Sequence, residues 1–535
     1  MNDSQVIVVG AGPVGLTMSI ALGQLGVRCI LLERNDAPAG LPKMERCNAR
    51  TMEIYRRLGI VDEIRAAGLP AECPMDVFVV TSLIEEPILH LPYGSVQDCR
   101  DDIAAHNDGT RTLEPYQLIS QYTLEPLLKE IAERDANIDV RFGCEVIRYE
   151  DDGDQVTAQV RRSDGTEEAI TAEYLVGCDG GASTVRKQLG IKLAGEGEML
   201  TMYQALFRSD DLYERIPIGK GRHYHVCDEQ SGFIIVQDDT RHFTLHAVMD
   251  DASEMPKLFE KIVAMPIDYE TLYIGQWTQK LLVADRYGEG RVFIAGDAAH
   301  LVIPTGGLGM NTGVGDVIDL AWKLQGTLEG WGGDNLLSSY ETERRQIGVR
   351  NVAASGRANA GRRKWRSAWR PEIRDKTSEG AEIRANVAEI ANVEQRKTNE
   401  ILGIEAGYRY IDSPLIWPEP GEAPDSNNPE YVPSSWPGFR LPHVWLKDGS
   451  AIHDHLGKGY VLLRFDLDRV DMSGLIAGFS DLGAPFEVTA FDDPHAVEVY
   501  EGYELFLLRP DLHIVWRGND APADPALLVA VATGS

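Results

Sequence analysis

Three stretches of this 535-residue chain place glycines, and in two cases an aspartate, at the end of an apolar run. They are Val6-Ile-Val-Val-Gly10-Ala-Gly12-Pro13-Val14-Gly15, Tyr174-Leu-Val-Gly-Cys-Asp179-Gly180 and Arg291-Val-Phe-Ile-Ala-Gly296-Asp297. In the first, Gly10 makes a tight turn, Gly12 lets a pyrophosphate approach the backbone, and Gly15 lets a helix close on its strand. The helix start offers free N–H groups and positive potential to phosphate. A second apolar run, Cys29-Ile-Leu-Leu, ends in Glu33-Arg34, and Glu33 sits about 20 residues on, where a carboxylate reaches a ribose hydroxyl. This context of strand, glycine turn, helix and acidic strand end is that of an adenine-dinucleotide site.

The elements that must hold these residues follow from periodicity. Helical spacing marks 48–59, 120–134, 255–265 and 313–328; the last follows the glycine-rich loop Pro304-Thr-Gly-Gly307-Leu308-Gly309-Met310-Asn311. Apolar or alternating runs predict strands at 139–142, 145–151, 155–161 and 169–172. Short strands at 77–80 and 88–91 and again at 203–208, 222–226, 232–237 and 243–249 predict a separate antiparallel sheet. Residues 338–405 read as Arg- and Glu-rich helices, and 413–442, with eight prolines, as a linker or wrapping segment. The remainder reads as a small α/β unit with strands at 460–465, 486–490, 505–508 and 513–517 and a helix at 472–479.

Length implies several domains. The formal charge of −31 argues against nucleic acid or an anionic membrane as partner, although solubility alone accounts for it equally well. Seven unclustered cysteines, none after Cys227, argue against a disulfide framework or a metal site. No apolar run reaches membrane-spanning length and the chain opens directly on the nucleotide strand, so the expected location is cytoplasmic.

The three motifs, in this order and at these intervals, resemble the aromatic-ring hydroxylases, single-component flavoprotein monooxygenases related to 4-hydroxybenzoate and phenol hydroxylases. The resemblance covers about residues 5–355, and the C-terminal part looks like the thioredoxin-like domain of the phenol hydroxylase subgroup. The implied fold class is α/β: a Rossmann-like FAD-binding domain (1–75, 105–198 and 283–355), an inserted, mainly antiparallel substrate-binding sheet (76–104 and 199–282), a helical segment (356–412), the linker (413–442) and a cysteine-free thioredoxin-like domain (443–535). The resemblance implies FAD along Gly10, Gly12, Pro13, Val14 and Gly15, with Glu33 at the adenosine ribose beside Arg34, Gln121 as a cofactor contact, Val146 at the adenine, Asp179 and Gly180 in a motif serving both FAD and nicotinamide, and Asp297, after Gly296, on the ribityl or ribose hydroxyls. Pro304, Gly307, Leu308, Gly309, Met310 and Asn311 would face the flavin's pyrimidine end, where a helix start favours negative charge on the reduced ring. Where the family carries Pro-Arg-Ala, this chain has Pro42-Lys43-Met44; Arg46 either takes over the phosphate contact or faces solvent.

Glu45 occupies the position of a phenol hydroxylase aspartate placed to activate the phenol, so it is either that base or a loop glutamate. Tyr203, His223, Tyr224, His225 and His246 are candidates for pocket contacts on the sheet, with Tyr203 and His225 as catalytic candidates beside Glu45. The implied reaction is hydroxylation of a small phenolic compound with NAD(P)H and O2 through the flavin C4a-hydroperoxide, by a homodimer without a separate nicotinamide domain. The rivals are a tailoring hydroxylase of a polycyclic polyketide and a non-catalytic flavin-binding protein. A halogenase is disfavoured because its Trp-x-Trp-x-Ile-Pro motif is absent. The cysteine-free C-terminal unit excludes dithiol chemistry there and leaves an interaction or dimer-contact role.

Overall fold

The computed structural model describes residues 3–38 and 40–535, so three residues of the expected 1–75 segment lie outside it. Val6–Val9 lies inside a six-stranded sheet ordered Gly288–Glu289, Val292–Ile294, Tyr174–Gly177, Val6–Val9, Cys29–Leu32, Ile138–Arg141. Every pair is parallel except the first. Strands covered on both faces are apolar throughout, and all residues of Val6–Val9 and Cys29–Leu32 are buried. Gly10 turns at φ +100°, and a Cβ on Gly15 would lie 1.9 Å from the Gly10 carbonyl oxygen, so only glycine lets the Pro13–Gln24 helix close on its strand.

A seven-stranded sheet runs Glu270–Thr278, Thr201–Arg208, His242–Ala247, Phe233–Val236, His223–Val226, Val77–Val80, Leu89–Leu91. It is antiparallel except where His223–Val226 meets Val77–Val80. Cross-strand register puts Gln204, His246, Phe233 and His225 on one rung. Side chains alternate along a strand, so Tyr203 belongs to the other face. That face packs on the Met255–Val263 helix, with Phe207 stacked on Phe259 at 4.1 Å.

The C-terminal sheet is ordered Phe486–Ala490, Tyr460–Arg464, Leu505–Leu508, Ile514–Gly518, its first pair parallel and the others antiparallel, as in a thioredoxin-like core. Arg509, just beyond one of these strands, is fully buried. It pairs with Asp319 (2.8 Å) on the Gly309–Glu329 helix, with Glu343 (2.5 Å) on the Asp334–Arg366 helix, and with Asp511 (2.6 Å). Lys323 closes the network against Asp319 and Glu343.

The structure departs from the expected elements in several places. Residues 92–104, expected in the substrate sheet, contain instead the Val96–Ala105 helix, started by a Ser95/Asp98 capping box. The edge strand Glu270–Thr278 was not anticipated; its exposed face lacks a continuous apolar run. The helix expected from Gly313 begins at Gly309, where Gly313 nests against Val14 and Gly296 and tertiary packing overrides the weak helix propensity of glycine. Part of the proline-rich segment packs on the C-terminal sheet: Trp417 N–H donates to the Val515 carbonyl (3.0 Å) and Gly438 N–H to that of Ile514 (2.8 Å).

Candidate active site

A cavity of about 490 Å³ lies between the strand ends of the six-stranded sheet and one face of the seven-stranded sheet. At the first end its wall includes Gly10–Val14, Glu33, Arg34, Gln121, Val146, Asp179 and Gly180. The Glu33 carboxylate accepts from the Ala11 N–H (2.9 Å) and from Asn35, which fixes it over the glycine turn. Gln121 is held by Glu125 at 2.6 Å. Asp179 uses Oδ2 to accept from the Thr184 and Val185 N–H groups (2.7 and 3.1 Å), while its Oδ1 is buried with no partner among the described residues.

Pro13–Gln24, after Gly12, and Gly309–Glu329, after Leu308, both begin at this cavity, and neither start has a side-chain cap or an acid in its first turn. Helix starts leave N–H groups and positive potential to be satisfied from outside. A Cβ on Gly12 would meet no protein atom nearer than Glu125 Oε1 at 3.9 Å, so protein packing does not demand glycine there. The two open helix starts, the bare Gly12 backbone and the orphaned Asp179 oxygen fit a bound dinucleotide.

Asp297 projects into the cavity and makes no hydrogen bond among the described residues. Withdrawal from bulk water pushes its pKa up, opposed by His300 and Lys43. The turn beneath it is rigid: Asp316, paired with Arg344 (2.9 Å) and His300 (2.7 Å), accepts the Gly296 N–H at 3.1 Å. Pro304, Gly307, Gly309, Met310 and Asn311 also line the wall. The Asn311 amide joins loop to strand, accepting from Asn48 N–H (2.9 Å) and donating to the carbonyls of Arg46 (3.0 Å) and Gly307 (2.5 Å).

At the other end, Gln204, Arg222, His223, Phe233, Ile235 and His246 face the cavity from the sheet, with Trp277 and Arg362 beside them. Glu45 Oε2 accepts from His223 Nε2 at 2.7 Å. Burial alone would raise the Glu45 pKa, but His223, Arg222 and Arg46 outweigh it and hold the carboxyl down at about 2. Burial also lowers the His223 pKa despite Glu45. At neutral pH an ionised Glu45 therefore faces a neutral His223 that donates from Nε2. Burial pushes His246 down to about 3; its Nδ1 accepts from Trp277 Nε1 at 3.1 Å, so Nε2 carries the ring proton. His246 stacks on Phe233 at 4.6 Å and meets Trp277 edge-on at 5.8 Å.

Several expected site residues lie off this wall. Tyr203 points to the opposite face of its sheet, against the Met255–Val263 helix, so it is removed from the catalytic set. His225 shares the cavity face but is fully buried beyond it, 3.2 Å from Gln395 and edge-on to Trp365, and His223 takes the place expected of it. Tyr224 is core. Gly15 and Gly296 act through packing, and Leu308 buries its side chain against Ile401 and Ile404. Arg46 does line the cavity, but it is buried, paired with Glu405 and bonded to the Gly306 carbonyl at 3.1 Å. Lys43 lines the cavity without an ion pair among the described residues. Sequence reasoning missed Gln204, Arg222, Phe233, Trp277 and Arg362. The first and third become legible once strand register is known; Arg362 lies on a helix with no local signal.

Comparison with known proteins gives the same picture. A family model described as "FAD binding domain" matches residues 3–355, and one described as "Aromatic-ring hydroxylase, C-terminal" matches 434–533. The FAD-dependent monooxygenase apdD of Emericella nidulans is 33% identical over 100% of this chain and 91% of its own length. Aklavinone 12-hydroxylase RdmE of Streptomyces purpurascens is 31% identical, covering 98% of each. Among solved structures, the rebeccamycin biosynthetic enzyme RebC with reduced flavin superposes with a TM-score of 0.90 at 30% identity over 99% of both chains. Aklavinone-11 hydroxylase with FAD and aklavinone gives 0.84 at 28% over 100% of both. The chain belongs to the single-component FAD-dependent aromatic-ring hydroxylases, with FAD as its cofactor.

Proposed function

We propose that this enzyme hydroxylates a phenolic substrate of several fused rings, of the polyketide type, consuming O2 and NAD(P)H and releasing water and NAD(P)+. The observation that carries the reading is the width of the aromatic wall. Trp277, His246 and Phe233 form a row of three rings with successive centroids 5.8 and 4.6 Å apart, a longer apolar surface than a single ring needs. The hydroxylases of aklavinone among its relatives support the fused-ring reading over the simple phenol expected from sequence.

Bound FAD supplies the oxygen-activating chemistry. The open helix start at Pro13 would receive its pyrophosphate, Glu33 and Asp297 its sugar and ribityl hydroxyls, and the start at Gly309 the negative charge of the reduced ring. Glu45 would accept the phenolic proton through its unbonded oxygen, and His223 holds that carboxylate in place. The neutral His246 offers Nε2–H to a substrate oxygen. Phe233, Ile235 and Trp277 exclude water from the ring face.

The test is NAD(P)H oxidation and oxygen uptake by FAD-loaded protein with hydroxylated anthraquinones and tetracyclic phenols beside single-ring phenols. The expected result is coupled turnover with the fused rings and incorporation of one atom of isotope-labelled dioxygen. Coupled turnover confined to single-ring phenols would sink the fused-ring reading.

A further inference from the structure

The substrate end holds more positive charge than its own residues neutralise. Arg362 makes no hydrogen bond or ion pair among the described residues, and its Nε is buried without a partner. Its guanidinium lies over the Phe233 ring, 5.1 Å from the centroid. Arg222, only 5% exposed, is in the same state: no side-chain hydrogen bond, a buried orphan Nε, and a place over the Tyr116 ring at 5.9 Å. The acids nearby offset only part of this charge: the ionised Glu45, bonded to a neutral His223, balances one of the two cations, and Glu405 is bonded to Arg46. His223 and His246 contribute no negative charge, and Thr398 is neutral. Arg366, one turn beyond Arg362, faces Asp228 and donates to the Gly232 carbonyl at 3.1 Å, so Asp228 serves Arg366 rather than Arg362.

A guanidinium withdrawn from water without an anion is costly, and the pKa of Arg362 is driven down to about 9 by burial and by Arg366. A planar carboxylate meets its forked donors with two parallel bonds, which no neutral group reproduces.

We infer that Arg362, together with Arg222, forms a carboxylate-binding subsite beside the aromatic wall, and that the aromatic substrate therefore carries an acidic group. This rests on the reading that this end of the cavity receives the substrate. The carboxylate would lie over the Phe233 edge of the wall, leaving the phenolic oxygen free to reach Glu45.

The experiment compares three probes on the FAD-loaded enzyme: a hydroxynaphthoic acid, its carboxamide and the parent naphthol. Binding is read from the change in flavin absorbance and from calorimetry. The expected result is that the acid binds at least about tenfold more tightly than the amide. Arg362→Gln should reduce that preference to under about twofold while weakening naphthol much less. Arg222→Gln should reduce it in part, and Arg362→Lys should retain some of it. Bound FAD and melting temperature identify variants that fail to fold, and the Lys variant then carries the test. Equal binding of acid and amide by the unmodified enzyme would overturn the subsite, as would an Arg362→Gln variant that loses acid and naphthol alike. Hydroxylation of naphthol without any preference for the acid removes the subsite alone. Tight acid binding without turnover of any aromatic supports the subsite and counts against the hydroxylation reading.

Discussion

The two ends of the cavity are built from different materials. The end at Gly10–Val14 and Gly309–Asn311 is mostly backbone: glycine turns, two open helix starts, and carboxylates fixed by N–H groups. The end at Glu45 and His223 is mostly side chain, drawn from the seven-stranded sheet, a loop and the Asp334–Arg366 helix. A backbone site holds one cofactor through features that tolerate little change, whereas a side-chain site can be rewritten for a new substrate without disturbing the fold.

The comparison can be broken most directly at Gly12. A side chain there meets no protein atom closer than 3.9 Å, so Gly12→Val should fold with an unchanged circular dichroism spectrum yet lose FAD affinity on the order of a hundredfold or more, read by fluorescence titration. Retained affinity would show that the first end does not depend on close backbone approach. At the second end, Glu45→Gln should lower kcat about a hundredfold with little change in bound FAD, read by steady-state turnover and flavin content. With its carboxyl near 2, Glu45 stays ionised above about pH 4, so it contributes no limb to the kcat profile in that range.

The same pair makes a smaller prediction about stability. The native pKa values of both Glu45 and His223 lie below their ordinary values. The unfolded chain thus takes up protons first as pH falls, and the stability contributed above their unfolded pKa values is lost on acidification. The melting temperatures of the unmodified enzyme and Glu45→Gln should draw together progressively as pH falls from about 5 towards about 2. A gap that widens on acidification would contradict the assigned direction. Smallest of all, Tyr203→Phe should leave kcat within about twofold, because that ring faces the Met255–Val263 helix. A large loss would return Tyr203 to the site.

This difference in material also explains what could be read in the sequence. Gly10, Gly12, Gly15, Glu33 and Asp297 announce themselves because turn geometry and phosphate approach demand particular residues at fixed spacing. The substrate end has no such grammar. Tyr203 and His246 lie on paired strands of the same sheet, yet one faces core and the other cavity, a distinction that depends on register. His223 and His225 share a face, and what separates them is the roof of Gln395 and Trp365, roughly 140 to 170 residues away in the chain. Arg362 sits among Arg- and Glu-rich helical turns that read as a solvated surface until the helix is laid over Phe233.

Arg509 makes the cysteine-free tail part of the interior of the domain it packs on. Asp319 and Glu343 share their interior site with two cations, and one of these arrives from the far end of the chain. A shortened chain ending before Leu505 would leave two buried carboxylates to a single lysine, on the helix whose opening turn lines the cavity. The catalytic half of the molecule is thus incomplete by itself, and an evolutionary lineage that discarded the tail would have had to redesign the interior of that helix as well.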